Sequence, residues 1–235
     1  MSDFTYGIEK SVSIGLGYLG VSFAFGVMAI KGITPLMTIL MSLTNLTSAG
    51  QFAGLQMIFE HAGYLEIVLT VLLINLRYML MSITLSQKVE DNIRRWKKAI
   101  FSFAITDEVF GVASTEKKEI TANYMFGLMI LPIVCWTLGT ALGAISAEIV
   151  PARILEALGI ALYAMFIGII VPDIKKNRGV LVVIILSILL SCTMDYIPII
   201  NQIGLGFKIM FITIFVSLIG AILFPINKNE SDDNV

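Results

Sequence analysis

The feature that most constrains this chain is the spacing of its charges. Long apolar runs occupy 12–30, 64–86, 121–146, 155–172, 180–200 and 203–226, and the charged residues gather in short clusters between them. A helix needs roughly 20 apolar residues to cross the hydrocarbon layer, and each of these runs approaches or exceeds that length. The chain is 57% hydrophobic and 14% charged, with a mean hydropathy of +0.89, too much apolar surface for a soluble core of 235 residues to bury. A helix satisfies its own backbone hydrogen bonds in lipid, so the pattern predicts an all-α polytopic membrane protein with about six full transmembrane helices.

Two further segments, 34–60 and 99–114, are apolar but interrupted. Asn45, Thr47, Ser48, Gly50 and Gln51 break the first, and Thr106, Asp107 and Glu108 break the second. The basic clusters help to place them: Lys88 with Arg94, Arg95, Lys97 and Lys98, then Lys117 and Lys118, then Lys175, Lys176 and Arg178, then Lys228. If 34–60 crossed as a plain span, the richest basic loop would face outside, against the positive-inside rule. Broken or re-entrant helical segments at 34–60 and 99–114 put every cluster, and Lys10, on the cytoplasmic side, with both termini there too. Freed backbone groups at membrane depth must be buried in protein or line a cavity, and in transporters such breaks mark binding sites.

Composition also removes whole classes of function. A net charge of −1, with Lys and Arg scattered in loops, offers no basic face for nucleic acid. Cys135 and Cys192 lie alone in apolar runs and His61 is the single histidine, so neither metal nor redox spacing is present and no cofactor is expected. There is no Ser/His/Asp set, and the chain is predicted not to be an enzyme. Gly15, Gly17 and Gly20 spell GxGxxG without a preceding strand, and helix packing explains them better, as it does Gly139 and Gly143. The polar runs, about a dozen residues at most, are too short for a second domain, so residues 1–235 form one transmembrane domain.

A few polar residues interrupt this apolar background. A charge near mid-membrane costs at least about 2.5 kcal/mol on insertion scales, so Arg77, central in its run and close to Asn75, requires a partner or a polar cavity. It is either an internal salt bridge or a guanidinium fork for a carboxylate. Asp107 and Glu108, being adjacent on a helix, point about 100° apart, so one can face Arg77 while the other faces elsewhere. They serve either as an N-terminal cap after Thr106 or as coupling groups. Trp136 interrupts an apolar run and is placed beside a cavity. Asp195 is placed at the outer end of its helix.

Gly17-Tyr18-Leu19-Gly20 through Phe23-Ala24-Phe25-Gly26, Ser48-Ala49-Gly50-Gln51-Phe52, Asn75-Leu76-Arg77 and Thr106-Asp107-Glu108 together resemble the AzlC family of branched-chain amino acid permeases. The resemblance covers most of the chain and is strongest over 15–110. It implies export of branched-chain or similar apolar amino acids across the cell membrane, possible coupling to protons, and a small AzlD-type membrane subunit as partner. It departs from the commoner pattern at Tyr78, where histidine is frequent, and at Thr47-Ser48-Ala49-Gly50, where Ala-Gly-Ser-Ala is usual. Under this reading Ser48, Gly50, Gln51, Phe52, Asn75 and Arg77 bind substrate, and Asp107 and Glu108 form the coupling or ion pair. Phe23, Phe25 and Phe52 would shelter the apolar side chain. A channel-like pore and a transporter of another small solute are the alternatives.

Overall fold

The computed structural model describes residues 2–147, 178–197 and 203–224, with single positions 151, 153, 167, 171 and 174 between them. Among these the chain is all-helical. Nine helices follow in order: α1 (Asp3–Ala29), α2 (Pro35–Thr44), α3 (Ala49–Phe59), α4 (Tyr64–Ser86), α5 (Arg95–Phe103), α6 (Asp107–Ser114), α7 (Ala122–Ser146), α8 (Arg178–Tyr196) and α9 (Leu205–Leu223). Four of them, α1, α4, α7 and α9, are long and apolar enough to cross a membrane. Of the six expected spans these four are seen among the described residues; α8 covers 178–196 of the run expected at 180–200, and all of the run at 155–172 except positions 167 and 171 lies outside the described residues.

The helix starts follow capping chemistry. Ser2, Thr34, Thr106 and Thr121 each sit in extended backbone and accept a hydrogen bond from the amide three residues on. Pro35 occupies the first turn of α2, where its missing N–H costs nothing.

The chain divides into two compact units. The first comprises Met1–Phe59 and Val71–Leu162, and its spine is the pair α1 and α7. These two helices run parallel, because Gly7 meets Tyr124 and Leu128 while Gly26 meets Thr140 and Ala144. A Cβ at Gly26 or Gly143 would collide with backbone of the other helix, so the close approach depends on small residues. The sequence expectation is met by Gly15, Gly139 and Gly143. Gly17 and Gly20 differ: they lie on the exposed side of α1, with nothing within 4 Å of a Cβ built there.

Both interrupted segments are hairpins of half-helices. In the first, Gly32 just before α2 packs against the Phe59 ring at the end of α3, so the segment leaves and returns at the end of α1 marked by Ala29. In the second, the approach to α5 and the end of α6 both reach the loop after α4. Lys98 and Phe101 line a cavity with Ser86 and Val89, and Lys88 Nζ donates to the Ser114 carbonyl at 2.6 Å. That loop is bridged to Ile120, and Thr121 donates to Asp3 Oδ2, so it lies at the opposite end of α1, by its N-terminus. The same connections make the later turns of α4 antiparallel to α1. Long helix then broken hairpin therefore occurs twice in succession, running in opposite directions, as in inverted-repeat transporters.

The second unit comprises Glu60–Thr70 and Tyr163–Val235. Within it α8 and α9 pack antiparallel, Val183 against Gly220 and Thr193 beside Phe215. Glu66 Oε1 accepts from the amides of Gly206 (3.0 Å) and Phe207 (3.3 Å), which satisfies the otherwise unpaired N-terminus of α9. Asp195 falls in α8, and its side chain lies outside the described residues.

Candidate functional site

The tips of both hairpins reach the same turn of α4. The first tip is extended at Asn45 and passes through Ser48, whose φ of 40° is left-handed. Such a conformation is costly for a residue with a Cβ. The second tip is extended at Thr106 and starts α6 with two acids.

Arg77 of α4 joins them. Its Nη2 lies 2.9 Å from Asp107 Oδ2 and donates to the Tyr78 hydroxyl at 3.2 Å, with the guanidinium 5.0 Å from the Tyr78 ring centroid. Tyr78 in turn donates to the carbonyl of Thr47 in the first tip at 3.4 Å. One arginine thus ties an acid of one hairpin to a backbone group of the other. The two neighbouring acids diverge: Glu108 Oε2 lies 2.6 Å from the Tyr18 hydroxyl of α1, which is also 2.7 Å from Thr106 Oγ1. Asp107 and Glu108 therefore both begin a helix capped by Thr106 and face separate partners.

Behind the first tip lies a neutral buried network. Trp136 Nε1 of α7 donates to Gln51 Oε1 at 3.0 Å, Gln51 Nε2 donates to Ser42 Oγ at 2.6 Å, and Ser42 shares a 2.7 Å hydrogen bond with Thr140. All four residues are buried. Tyr18 stacks edge-on to Trp136, with ring centroids 5.3 Å apart, so the neutral network and the acid-bearing tip share an aromatic wall.

Of the residues singled out from sequence, Ser48, Gly50, Asn75, Arg77, Asp107 and Glu108 converge around this turn. A Cβ at Gly50 would stand 2.8 Å from Asn75 Oδ1, so only glycine lets the α3 backbone come this close to the amide. Asn75 Oδ1 and Arg77 Nε are shielded polar atoms without a hydrogen-bond partner among the described residues. Such atoms are costly unless something polar meets them. Gln51 and Phe52 are placed differently. Gln51 is enclosed by Trp136 and Ser42, and Phe52 packs edge-on against Phe25 in a separate apolar cluster with Ala29 and Leu55.

Sequence reasoning left Tyr18, Tyr78, Ser42 and Thr140 without a role. The signal for Tyr18 was present, since it stands in the Gly17-Tyr18-Leu19-Gly20 motif. Ser42 and Thr140 gave none, because hydroxyls in apolar helices usually bond their own backbone.

A family model for the AzlC protein matches residues 13–150, which carry both hairpins, Arg77 and all of α7. The inner membrane protein YgaZ of Escherichia coli is 28% identical over 188 residues, 76% of each chain. An uncharacterized membrane protein of Archaeoglobus fulgidus is 28% identical over 178 residues, 74% of this chain and 78% of its own. One from Helicobacter pylori strain J99 is 24% identical over 180 residues, 75% of this chain and 78% of its own. No solved structure matches the chain. With more than half the sequence matched, including every residue of the Arg77 cluster, the chain is a membrane protein belonging to the AzlC family.

Proposed function

We propose that residues 1–235 form the large subunit of a transporter in the cell membrane that carries small amino acids with apolar side chains, branched-chain ones foremost, with a small AzlD-type membrane protein as partner. The observation that carries this reading is the Arg77–Asp107 pair at the meeting of two broken hairpins, with Asn75 Oδ1 and Arg77 Nε still offering polar atoms. Asp107 holds the guanidinium in the empty protein, and an amino-acid carboxylate joins or replaces it on the same fork, which has five donors. Ser48 supplies irregular backbone and Gly50 the closely packed first turn of α3 that face the zwitterion, while Gln51 and Phe52 hold the tip in shape from behind. A channel-like pore lined this way would also conduct solute, but a salt bridge from α4 to one hairpin, relayed by Tyr78 to the other, suits a gate that opens and closes.

The orientation with the N-terminus cytoplasmic, part of the reading that puts both termini there, is supported by one end of the first unit. The start of α1, the loop after α4 with Lys88, and the loop carrying Lys117 and Lys118 are joined there through Asp3, Val89 and Ile120. Basic groups collected at one end are what the positive-inside rule expects of a cytoplasmic face.

The test is uptake and counterflow of labelled leucine, isoleucine and valine in vesicles holding the chain with and without its small partner. Saturable flux that disappears in Arg77→Ala supports the reading. Unsaturable flux favours the channel, and wild-type vesicles inert to all three solutes under every gradient rule the substrate class out.

A further inference from the structure

The loop after α4 sorts its charges by sign. Glu90, Asp91 and Glu119 share one cavity with Lys88. Arg94, Arg95, Lys97 and Lys98 gather instead at the start of α5, which has no acid in its first turn. Among the described residues none of these cations forms an ion pair, although acids stand only a few positions away. Lys97 lies 5.7 Å from the Trp96 ring centroid. The positive-inside rule accounts for the number of such charges and asks nothing of their surroundings. Lys98 has surroundings of a particular kind. It borders a crevice of about 60 Å³ between the last turn of α4, α5 and Met125 of α7, several times the space that one water needs. The rim is polar, with Ser82 and Ser86 of α4 and Ser102 of α5 beside Lys98. The floor of Leu85, Phe101 and Ile105 is apolar and buried. Ser86 donates to the Ile83 carbonyl at 2.6 Å and Ser102 to the Lys98 carbonyl at 3.0 Å. Lys98 Nζ and the Ser82 hydroxyl have no partner among the described residues. Leu72, Leu76, Met79 and Ile83 follow one another at three or four residues and form an exposed apolar stripe along α4 that ends next to Ser82.

We propose that this crevice seats the headgroup of one anionic phospholipid. The phosphate oxygens accept from Lys98 Nζ and Ser82 Oγ, and an acyl chain lies along the stripe from Ile83 to Leu72. Arg94 and Arg95 add attraction at longer range. Basic pockets between membrane helices hold anionic headgroups in this way. A free anion would gain nothing from the stripe, and a zwitterionic lipid would bring its own cation to Lys98. Ile105 lies on the crevice wall just before the cap residue Thr106. The bound lipid therefore braces α5 against α4 next to the tip that carries Asp107. Such a lipid is held whether or not the protein carries amino acids.

The experiment titrates the full chain, purified in a neutral detergent, with phosphatidylglycerol or with phosphatidylcholine of the same acyl chains. Bound lipid is counted by native mass spectrometry, and the thermal midpoint is read alongside. Wild type retains one phosphatidylglycerol in preference to phosphatidylcholine and gains a higher midpoint from it. Lys98→Ala weakens phosphatidylglycerol half-saturation about tenfold, the loss of one charge-assisted hydrogen bond. Lys97→Ala removes the same charge away from the crevice and shifts half-saturation only about twofold, as an exposed charge does. Should Lys98→Ala not be recovered from membranes, Ser82→Leu fills the rim with every charge in place and loses the retained lipid. Equal retention of the two lipids overturns the proposal, as does an equal loss from Lys98→Ala and Lys97→Ala, which would mean that only net charge matters. Retention that survives Ser82→Leu overturns it as well. Inorganic phosphate that raises the midpoint as far as phosphatidylglycerol does would make the crevice a site for free anions and sink the lipid assignment. Whether vesicles holding the chain move leucine has no bearing on these outcomes, so failure here and failure of the transport reading are read separately.

Discussion

The α2–α3 and α5–α6 hairpins share a plan, two half-helices around an extended break, and differ in what holds their tips. The first is anchored by neutral groups: Gln51 between Trp136 and Ser42, Ser42 on Thr140, and the Thr47 carbonyl under Tyr78. The second is anchored by charge, Asp107 on Arg77, with Glu108 beside Tyr18. The difference has a physical consequence. Neutral hydrogen bonds in a dry site set shape and change little with pH or salt, whereas an ion pair can be broken by a competing ion. One hairpin is built as a fixed wall, and the other as a part that a charged ligand can displace.

Substitutions can break or sharpen this contrast. The largest effect is expected at Arg77, where Arg77→Ala abolishes transport of labelled leucine and leaves Asp107 without its cation. The double variant Arg77→Ala, Asp107→Ala should be recovered from membranes in greater amount than the single one, because a half-buried charge left unpaired costs more than an absent pair. Equal recovery would mean that the pair contributes little to folding. Next comes Gln51→Leu, which strands the Trp136 N–H and a Ser42 hydrogen-bonding site. A cost of about 1–3 kcal/mol for each stranded group predicts a lower thermal midpoint in detergent, with the pH dependence of flux unchanged. A changed pH profile would show that the first tip is not a neutral wall.

Tyr78→Phe tests the hydrogen-bonded relay from Arg77 through Tyr78 to Thr47 that links the two tips. It removes the bonds to Arg77 and Thr47 while keeping the ring under the guanidinium; about 0.5–1.5 kcal/mol is expected for the neutral bond to Thr47, and no less for the charge-assisted one to Arg77. A severalfold slower leucine flux with intact expression is the anticipated result, and wild-type flux would disconnect the hairpins. The smallest effect is placed at Ser48, whose φ of 40° suits glycine. Ser48→Gly should raise stability by no more than about 1 kcal/mol, read as a modest rise in thermal midpoint. A fall would assign the serine side chain a larger part than its backbone strain.

Much of this arrangement is legible from residues. Both breaks appear in sequence as polar interruptions, since Asn45, Thr47 and Ser48 or Thr106 and Asp107 cannot continue an apolar helix without a compensating partner. The need of Arg77 for a partner is legible too, because its insertion cost requires one. Which acid supplies it is not, since Asp107 and Glu108 have the same chemistry and differ only by the turn of a helix. Gln51 shows the converse: its type suggests a ligand-facing amide, but Ser42 and Trp136 enclose it. Gly17 and Gly20 fail for a related reason, because GxxG spacing reports small size and cannot say which side of α1 meets α7.

The sequence by itself determined the class of molecule. Long apolar runs leave a chain little choice but membrane helices, and polar residues within such runs must break them or find partners. Only the tertiary structure decided that α1 and α7 run parallel, that the two hairpins enter from opposite ends of α1, and that their tips meet at Arg77. These outcomes depend on contacts between residues dozens to more than a hundred positions apart, Gly26 with Thr140 or Thr47 with Tyr78. Local pattern carries no information about them, since helix periodicity states which residues share a face and leaves open which face meets which.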